Sequence, residues 1–499
     1  ERMPLLLGYW DLSKVPKSPS RKSIRKMQLS HTPQAISVRF DDPNLVSASG
    51  LVPAMRLAQA ADLQGLADEH LSVPTDKGAN AGSKVASLVA GMVAGADSID
   101  DMAMLRHGGM KKLFTRIYAP STLGSFLRKF TFGHVRQLDA VASRFLTALA
   151  GLSWLLGNPE QPPPSAGYAL LDVDDTIIEV HGHKKQGAGF GYSRVRGLNA
   201  LIATLATAAT APIIVAQRLR KGSCGSPRGA DRLIADAVKQ AGRLLPAGTP
   251  VLVRMDSAYW GRPSVWAAIR GGAKVSVTTK MSSTVKAAIA SIGEEAWTTI
   301  KYTNAILDTD TKQWISKAEV AETPFAAFSS MKQAEQVPGR LVVRRIPDFN
   351  AATKAAAGQD GLFDAWRFHA FFTTADPKVL DTVDADKTHR GHAIIEQINA
   401  DLKASALAHL PSGIFTANAA WLVLAVMAFN LTRAAATLAG GGLDKATTAT
   451  IRRKLITVPA RIASSARRIV MHLPTAWPWQ HAWTDLFNRV NDPPAPAAA

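Results

Sequence analysis

Residues Tyr168 to Val180 read YALLDVDDTIIEV. An apolar run carries into three acids, Asp172, Asp174 and Asp175, then a threonine, then apolar residues again. Successive residues of a strand point to opposite faces, so Asp172, Asp174 and Thr176 would share one face and Asp175 the other. Carboxylates set side by side inside a buried run carry a large desolvation and repulsion cost. A divalent cation is the usual compensation, because it takes hard oxygen ligands and cancels the charge. The stretch therefore predicts a functional site on a strand, against the plainer alternative of a strand giving way to an acidic turn.

The surrounding chain has 499 residues, with 58 lysines and arginines against 39 acids, a net charge of +19 and a pI near 10.0. That length suggests two to four domains. A chain this basic points to a polyanion as partner, either nucleic acid or an anionic surface. The single cysteine, Cys224, excludes an intrachain disulfide framework and a multi-cysteine zinc site, and fits a reducing cytosol. No charged, then apolar, then small-residue pattern opens the sequence, so no signal peptide is expected. The stretch IFTANAAWLVLAVMAFNL, Ile414 to Leu431, is about long enough to span a membrane. Asn418 and Asn430 interrupt it and it stands alone, which predicts a buried core helix and no membrane association.

Taken in order, residues 1–48 read as an extended basic arm, with Lys14, Lys17, Arg21, Lys22, Arg25 and Lys26 among prolines and serines. Residues 49–157 carry apolar positions at three- and four-residue spacing and predict a helical region. Within it, Arg128, Lys129 and Arg136 on the polar side suggest a small DNA-binding unit. Residues 158–167, NPEQPPPSAG, form a proline-rich linker. From 168 to 284 the pattern is strand, hairpin, helix, strand, strand, which is an α/β core. Asp256 ends the buried strand TPVLVRMDSAYW, and Arg218, Arg220 and Lys221 leave the hairpin together. Residues 285–382 shift to period-two character with scattered tryptophans and read as a β-rich insertion. Residues 383–435 return to helix, and 436–499 read as a basic helical C-terminal region ending in a disordered tail.

Three carboxylates stand in suitable contexts: Asp172 or Asp174 on the first strand, Asp256 at the end of a second, and Glu396 on a polar-faced helix. Three carboxylates converging at one point are what two Mg²⁺ ions need for in-line attack on a phosphodiester. The helix adds His389, His392 and Lys403, which sit seven and four residues before Glu396 and seven after it. Those offsets fall on one helical face and would place donors beside a bound phosphate.

These stretches resemble a known family. LLDVDDTIIEVHG with its glycine-rich turn and Tyr192, then AQRLRKGS, VLVRMDSAYW, WRFHAFFTT, HRGHAIIEQINADLK and FTANAAWLVLAVMAFNLTR, look like a DDE transposase of bacterial insertion sequences. The nearest group is IS1380, within the IS4-like set, and the resemblance runs in order over most of residues 36–475. It implies an RNase H-like catalytic core interrupted by a β-rich insertion, with a helical N-terminal DNA-binding region. By position, the family's catalytic and metal-binding Asp-Asp-Glu set falls on Asp174, Asp256 and Glu396, while Asp172 and Asp175 compete for the first place. It also implies two Mg²⁺ ions, with Mn²⁺ able to substitute. The implied partners are double-stranded DNA, as terminal inverted repeats and target, and a second copy of the chain, in a bacterial cytoplasm beside the nucleoid. The expected DNA contacts are Arg218, Arg220, Lys221, His389, Arg390, His392 and Lys403, with Lys22, Arg25 and Lys26 from the arm. IS4-like enzymes often carry Tyr-x2-Arg-x3-Glu-x6-Lys around the glutamate; here Lys403 matches, but His389 and His392 take the Tyr and Arg places. Trp314 and Trp366 are the candidates for stacking on a flipped base.

Two rival readings stand beside this one. Asp172-x-Asp174-x-Thr176 also resembles the opening motif of haloacid-dehalogenase-type phosphatases, with Asp172 as nucleophile and Asp174 as acid/base. A domesticated, catalytically inactive transposase that only binds DNA is the other.

Overall fold

Ala169–Glu179 forms strand β1, buried along most of its length on both faces, as a central strand must be. The hairpin that follows supplies β2 (Arg196–Ala206) and β3 (Ile213–Lys221), each antiparallel to the strand before it. β4 (Val251–Met255) then runs parallel to β1 on its other side, and β5 (Lys274–Thr278) runs parallel to β4. Two helices, α1 (Ala230–Leu244) and α2 (Arg262–Arg270), make the connections, and both bury apolar faces against the sheet and each other.

The computed structural model describes residues 30–74, 78–157, 167–301, 306–307, 314–315, 318–347, 366–465 and 468–492. It divides into two units, residues 1–42 and 43–499. The described part of the first holds one 3-10 turn, Pro33–Ala35. Lys22, Arg25 and Lys26, most of the proline-rich linker and the final seven residues lie outside the described residues.

The region expected as a β-rich insertion extends the same sheet. β6 (Glu319–Ala327), β7 (Val337–Pro347) and β8 (Trp366–Thr373) form an antiparallel run, and β8 pairs with the open edge of β5, Phe371 opposite Thr278. The order is β3-β2-β1-β4-β5-β8-β7-β6, with two-residue strands at Gly189–Phe190 and Thr298–Thr299 added at the margins. An unpaired edge on β5 would leave its backbone groups exposed; β8 covers it.

Three helices follow: α3 (Thr382–Arg390), α4 (Ile394–Lys403) and α5 (Phe415–Ala439). α5 is long and apolar enough to cross a membrane by length and composition, yet 94% of its most apolar window is buried in the fold. It packs against β3 on one side and against the N-terminal helices Ala81–Ala94 and Phe132–Ser153 on the other. Its two interrupting asparagines both hold backbone. Asn430 pairs with both the N–H and the C=O of Ile214 beside a bulge between β2 and β3, and Asn418 does the same for Ser412. The expected core helix is what the chain forms.

The C-terminal region departs from its helical expectation. After one helical turn at Thr448–Ile451 and a π-turn at Arg452–Ile456, strands Ala460–Ser465 and Arg468–His472 make a hairpin. Leu45–Val46 joins it as a third strand. Ala460 and Ile462 are buried while Arg461 and Ala463 are exposed, a period-two pattern that the run of basic residues masks in the sequence. A helix, Gln480–Asn491, comes last.

Candidate active site

The register of β1 against β4 sets the site. Asp172 lies beside Arg254 and Val173 beside Met255, where the register ends. Asp174 follows on β1, and Asp256, still extended, follows β4 as the cap of the turn Ser257–Tyr259, near enough for its carboxylate to act on that of Asp174. Paired residues of adjacent strands share a face, and neighbouring strands lie about 4.8 Å apart. Burial raises the Asp174 carboxyl to about 6, and the nearby Asp175 and Asp256 carboxylates push the same way. Asp256 is also raised, chiefly by desolvation, although one of its oxygens accepts the Ala258 N–H at 2.9 Å.

The other two acids are engaged elsewhere. Arg254 donates through Nε to Asp172 Oδ1 at 2.7 Å and through Nη2 to Oδ2 at 2.6 Å, a buried two-pronged pair. The His392 Nδ1–H adds a third donor to Asp172 at 2.9 Å. On the opposite face, Asp175 accepts from Arg220 at 2.8 Å, from Tyr259 at 3.1 Å and from Asn199. Asp172 is 1% exposed and both its oxygens are held by Arg254, which argues against its serving as the nucleophile of the phosphatase reading.

Glu396 comes from the helices above this face. Thr388 O accepts from Arg254, His392 reaches Asp172, and Asn399 Nδ2 donates to Asp174 Oδ2 at 3.1 Å. Within α4, Glu396 and Asn399 sit at i and i+3 and share a face, while His392 comes from the 3-10 turn Gly391–Ala393 just before the helix. Glu396 itself is exposed. Among the described residues, no three carboxylate, imidazole or thiol groups stand close enough to hold a metal ion as they are. The structure therefore brings Asp174 and Asp256 together and leaves the Glu396 side chain outside the pair.

The expected single face holding His389, His392, Glu396 and Lys403 does not form, because a 3-10 turn at Gly391–Ala393 breaks the helix. A Cβ on Gly391 would lie 2.8 Å from Arg254 Nη1, so a side chain there would push on the guanidinium that holds Asp172. Beyond the break, His389 hydrogen-bonds Ser276 Oγ at 2.8 Å and Thr278 Oγ1 at 2.9 Å and stacks on Phe371, ring centroids 4.1 Å apart. Burial lowers its pKa to about 3, helped by His392 and Arg254, so it is a neutral ring clamping α3 to β5 and β8.

Several expected DNA contacts are likewise turned inward. All the polar atoms of the Arg220 guanidinium are taken by Asn199, Asp175, Ser226 O and Arg228 O. Arg218 pairs with Asp139 and Asp236, and Arg390 with Asp386. His392 holds Asp172. Lys221 and Lys403 are exposed. Lys403 lines a cleft of about 400 Å³ with Thr176, Tyr192 and Leu407, one residue-pair along β1 from Asp174. Tyr192, from the glycine-rich turn, lines this cleft, and desolvation together with Asp175, Asp174 and Asp256 raises the pKa of its hydroxyl. Trp366 packs on the Arg345 guanidinium, which Trp297 covers from its own ring at 4.3 Å. Trp314 lies in a two-residue strand paired with Ile306–Leu307, and its side chain is outside the described residues.

Sequence reading missed Arg254 and Asn399. Arg254 stands two residues before Asp256, which puts it on the same strand face; Asn399 stands three after Glu396, on the same helical stripe. The donor set fits a divalent cation. It offers two adjacent, desolvated carboxylates, and Asn399 Oδ1 is a buried carbonyl oxygen that meets no donor among the described residues.

Comparison with known proteins gives one family. A family model described as transposase DDE domain, group 1, matches residues 29–494. No curated protein matches the chain.

Proposed function

Since the chain belongs to the DDE transposase family, we propose that it binds the terminal inverted repeats of its own element and moves that element by cut-and-paste, with Asp174, Asp256 and Glu396 as its catalytic triad. The observation that supports this reading is the parallel register that ends at Val173–Met255, immediately before Asp174 and Asp256. It lies beside the turn of His392 and the helix of Glu396 and Asn399, from which His392 and Asn399 reach Asp172 and Asp174. The order β3-β2-β1-β4-β5, with the first three strands antiparallel and the last two parallel to β1, supports an RNase H-like core. The IS1380 assignment rests on the sequence stretches and is retained as part of the proposal.

Asp174, Asp256 and Glu396 would hold Mg²⁺, as a pair of ions, with Mn²⁺ as substitute. Bound there, the ions would activate the attacking oxygen and stabilise the leaving one. Arg254 and His392 keep Asp172 occupied, so Asp174 alone of the DVDDT acids faces the reacting phosphate on this side of the sheet. Water attack at the element's end would break the P–O3′ bond and leave a 3′-hydroxyl. That hydroxyl would then attack a target phosphodiester, forming one P–O bond as another breaks. Lys403 and Lys221, exposed near the carboxylates and at the hairpin exit, are the cations best placed to meet the backbone. Two ends must be held at once, which implies a homodimer on DNA.

A nicking assay on DNA carrying the inverted repeats that flank the gene tests the proposal. Mg²⁺-dependent nicking should be abolished in each of Asp174→Ala, Asp256→Ala and Glu396→Ala. Nicking that survives Glu396→Ala would remove the three-carboxylate site. Turnover of a small phosphomonoester in place of nicking would return the phosphatase reading.

A further inference from the structure

Buried polar groups in folded proteins are nearly all hydrogen-bonded, and those that are not call for a reason. Seven buried side-chain atoms lack a partner among the described residues. Five are N–H groups of arginines or a tryptophan and one is the Thr204 hydroxyl; Asn399 Oδ1 alone is an atom that can only accept. Its residue is 5% exposed, so bulk solvent does not satisfy it. Leaving such an oxygen bare is costly, because it gives up its hydrogen bond to water and gains none in return.

The position of this oxygen narrows what can fill the gap. Asn399 Nδ2 is committed to Asp174 Oδ2 at 3.1 Å, and Oδ1 shares a carbon with Nδ2, so the bare oxygen lies beside the Asp174 carboxylate. The amide is fixed in this sense, since turning it over would set two oxygens against each other. Amide carbonyls are common ligands of hard divalent cations alongside carboxylates. A neutral oxygen is well suited to a site already holding two raised acids, because it adds a ligand without adding charge.

We propose that Asn399 is a fourth protein oxygen of the cation site, meeting the ion through Oδ1 directly or across one water, while its Nδ2–H holds Asp174 in place. This inference rests on the Asp174–Asp256 cation site proposed above. It gives α4 two contributions to the same centre, Glu396 from the exposed edge of the stripe and Asn399 from its buried edge.

The test is Mn²⁺ titration of the full chain without DNA, followed by electron paramagnetic resonance of the free ion, on wild type, Asn399→Ala, Asn399→Asp and Asp174→Ala. Thermal unfolding of each in EDTA and in Mn²⁺ accompanies it. Asn399→Ala should weaken Mn²⁺ binding by roughly 10–100-fold, the range found when supporting groups of a metal site are removed. Asn399→Asp should bind at least as tightly as wild type, be less stable in EDTA, and gain more from Mn²⁺. If Asn399 only packs, Asn399→Ala would lose the same stability in EDTA and in Mn²⁺ and bind the ion like wild type, which overturns the inference. Should that happen while Asp174→Ala has lost binding, the carboxylate site stands without Asn399. Should Asp174→Ala bind like wild type, the site itself falls, and Asn399 with it.

Discussion

Arg254 grips both oxygens of Asp172, at 2.7 and 2.6 Å, and in doing so decides which acid of DVDDT is left for chemistry. The pair is buried on both sides, 3% and 1% exposed for the two side chains. Removing one partner from such a pair costs about 3–5 kcal/mol, because the other charge stays buried and alone. Arg254→Met and Asp172→Asn should each lower stability by that order in urea unfolding. The double variant should recover part of the loss, and equal, additive losses would show that the two residues do not depend on each other.

Asp174 gives the metal-free protein a distinct pH dependence. Its carboxyl is raised to about 6 by burial and by neighbouring acids. A carboxyl raised on folding favours the folded state below its ordinary value of about 4, and that contribution is lost as pH rises through about 6. Asp174→Asn should therefore be more stable than wild type in EDTA at pH 7.5 and lose this advantage below pH ~4. In wild type, Mg²⁺ affinity should fall as pH drops through 6, as protons compete for the same oxygens. Matching stability curves for the two proteins in EDTA would refute the assignment.

DNA affinity measured against salt separates the inward cations from the outward ones. Each phosphate contact removed reduces the slope of log affinity on log salt by about 1. Lys403→Ala and Lys221→Ala should each do so. His389→Asn should leave the slope unchanged while lowering thermal stability, since its ring is neutral and lodged on Ser276, Thr278 and Phe371. A reduced slope for His389→Asn would mean that the ring reaches phosphate after all.

The strands of this fold were largely legible in its sequence. Alternation and apolar runs mark β1 through β5 and place Asp174 on a strand and Asp256 at the exit of another, because that periodicity is a local property of the chain. The sorting of the three acids was not legible, since it depends on arginines 82 and 45 residues away that reach opposite faces of β1. The break at Gly391 was hidden for the same reason. HRGHAIIEQINADLK has continuous helical spacing, yet a 3-10 turn interrupts it at Gly391–Ala393, where the Arg254 guanidinium packs close to Gly391. Period-two character in residues 285–382 points to strands, but the continuity of β6 to β8 with the core sheet depends on pairing with β5, which no local pattern records.

The most direct measurement is an anomalous scattering map from crystals of the full chain grown with Mn²⁺. The expected result is density between the Asp174 and Asp256 carboxylates, with Glu396 drawn in from its exposed position and Asp172 still held by Arg254. Mn²⁺ bound against Asp172, or found only at sites away from Asp174 and Asp256, would contradict it.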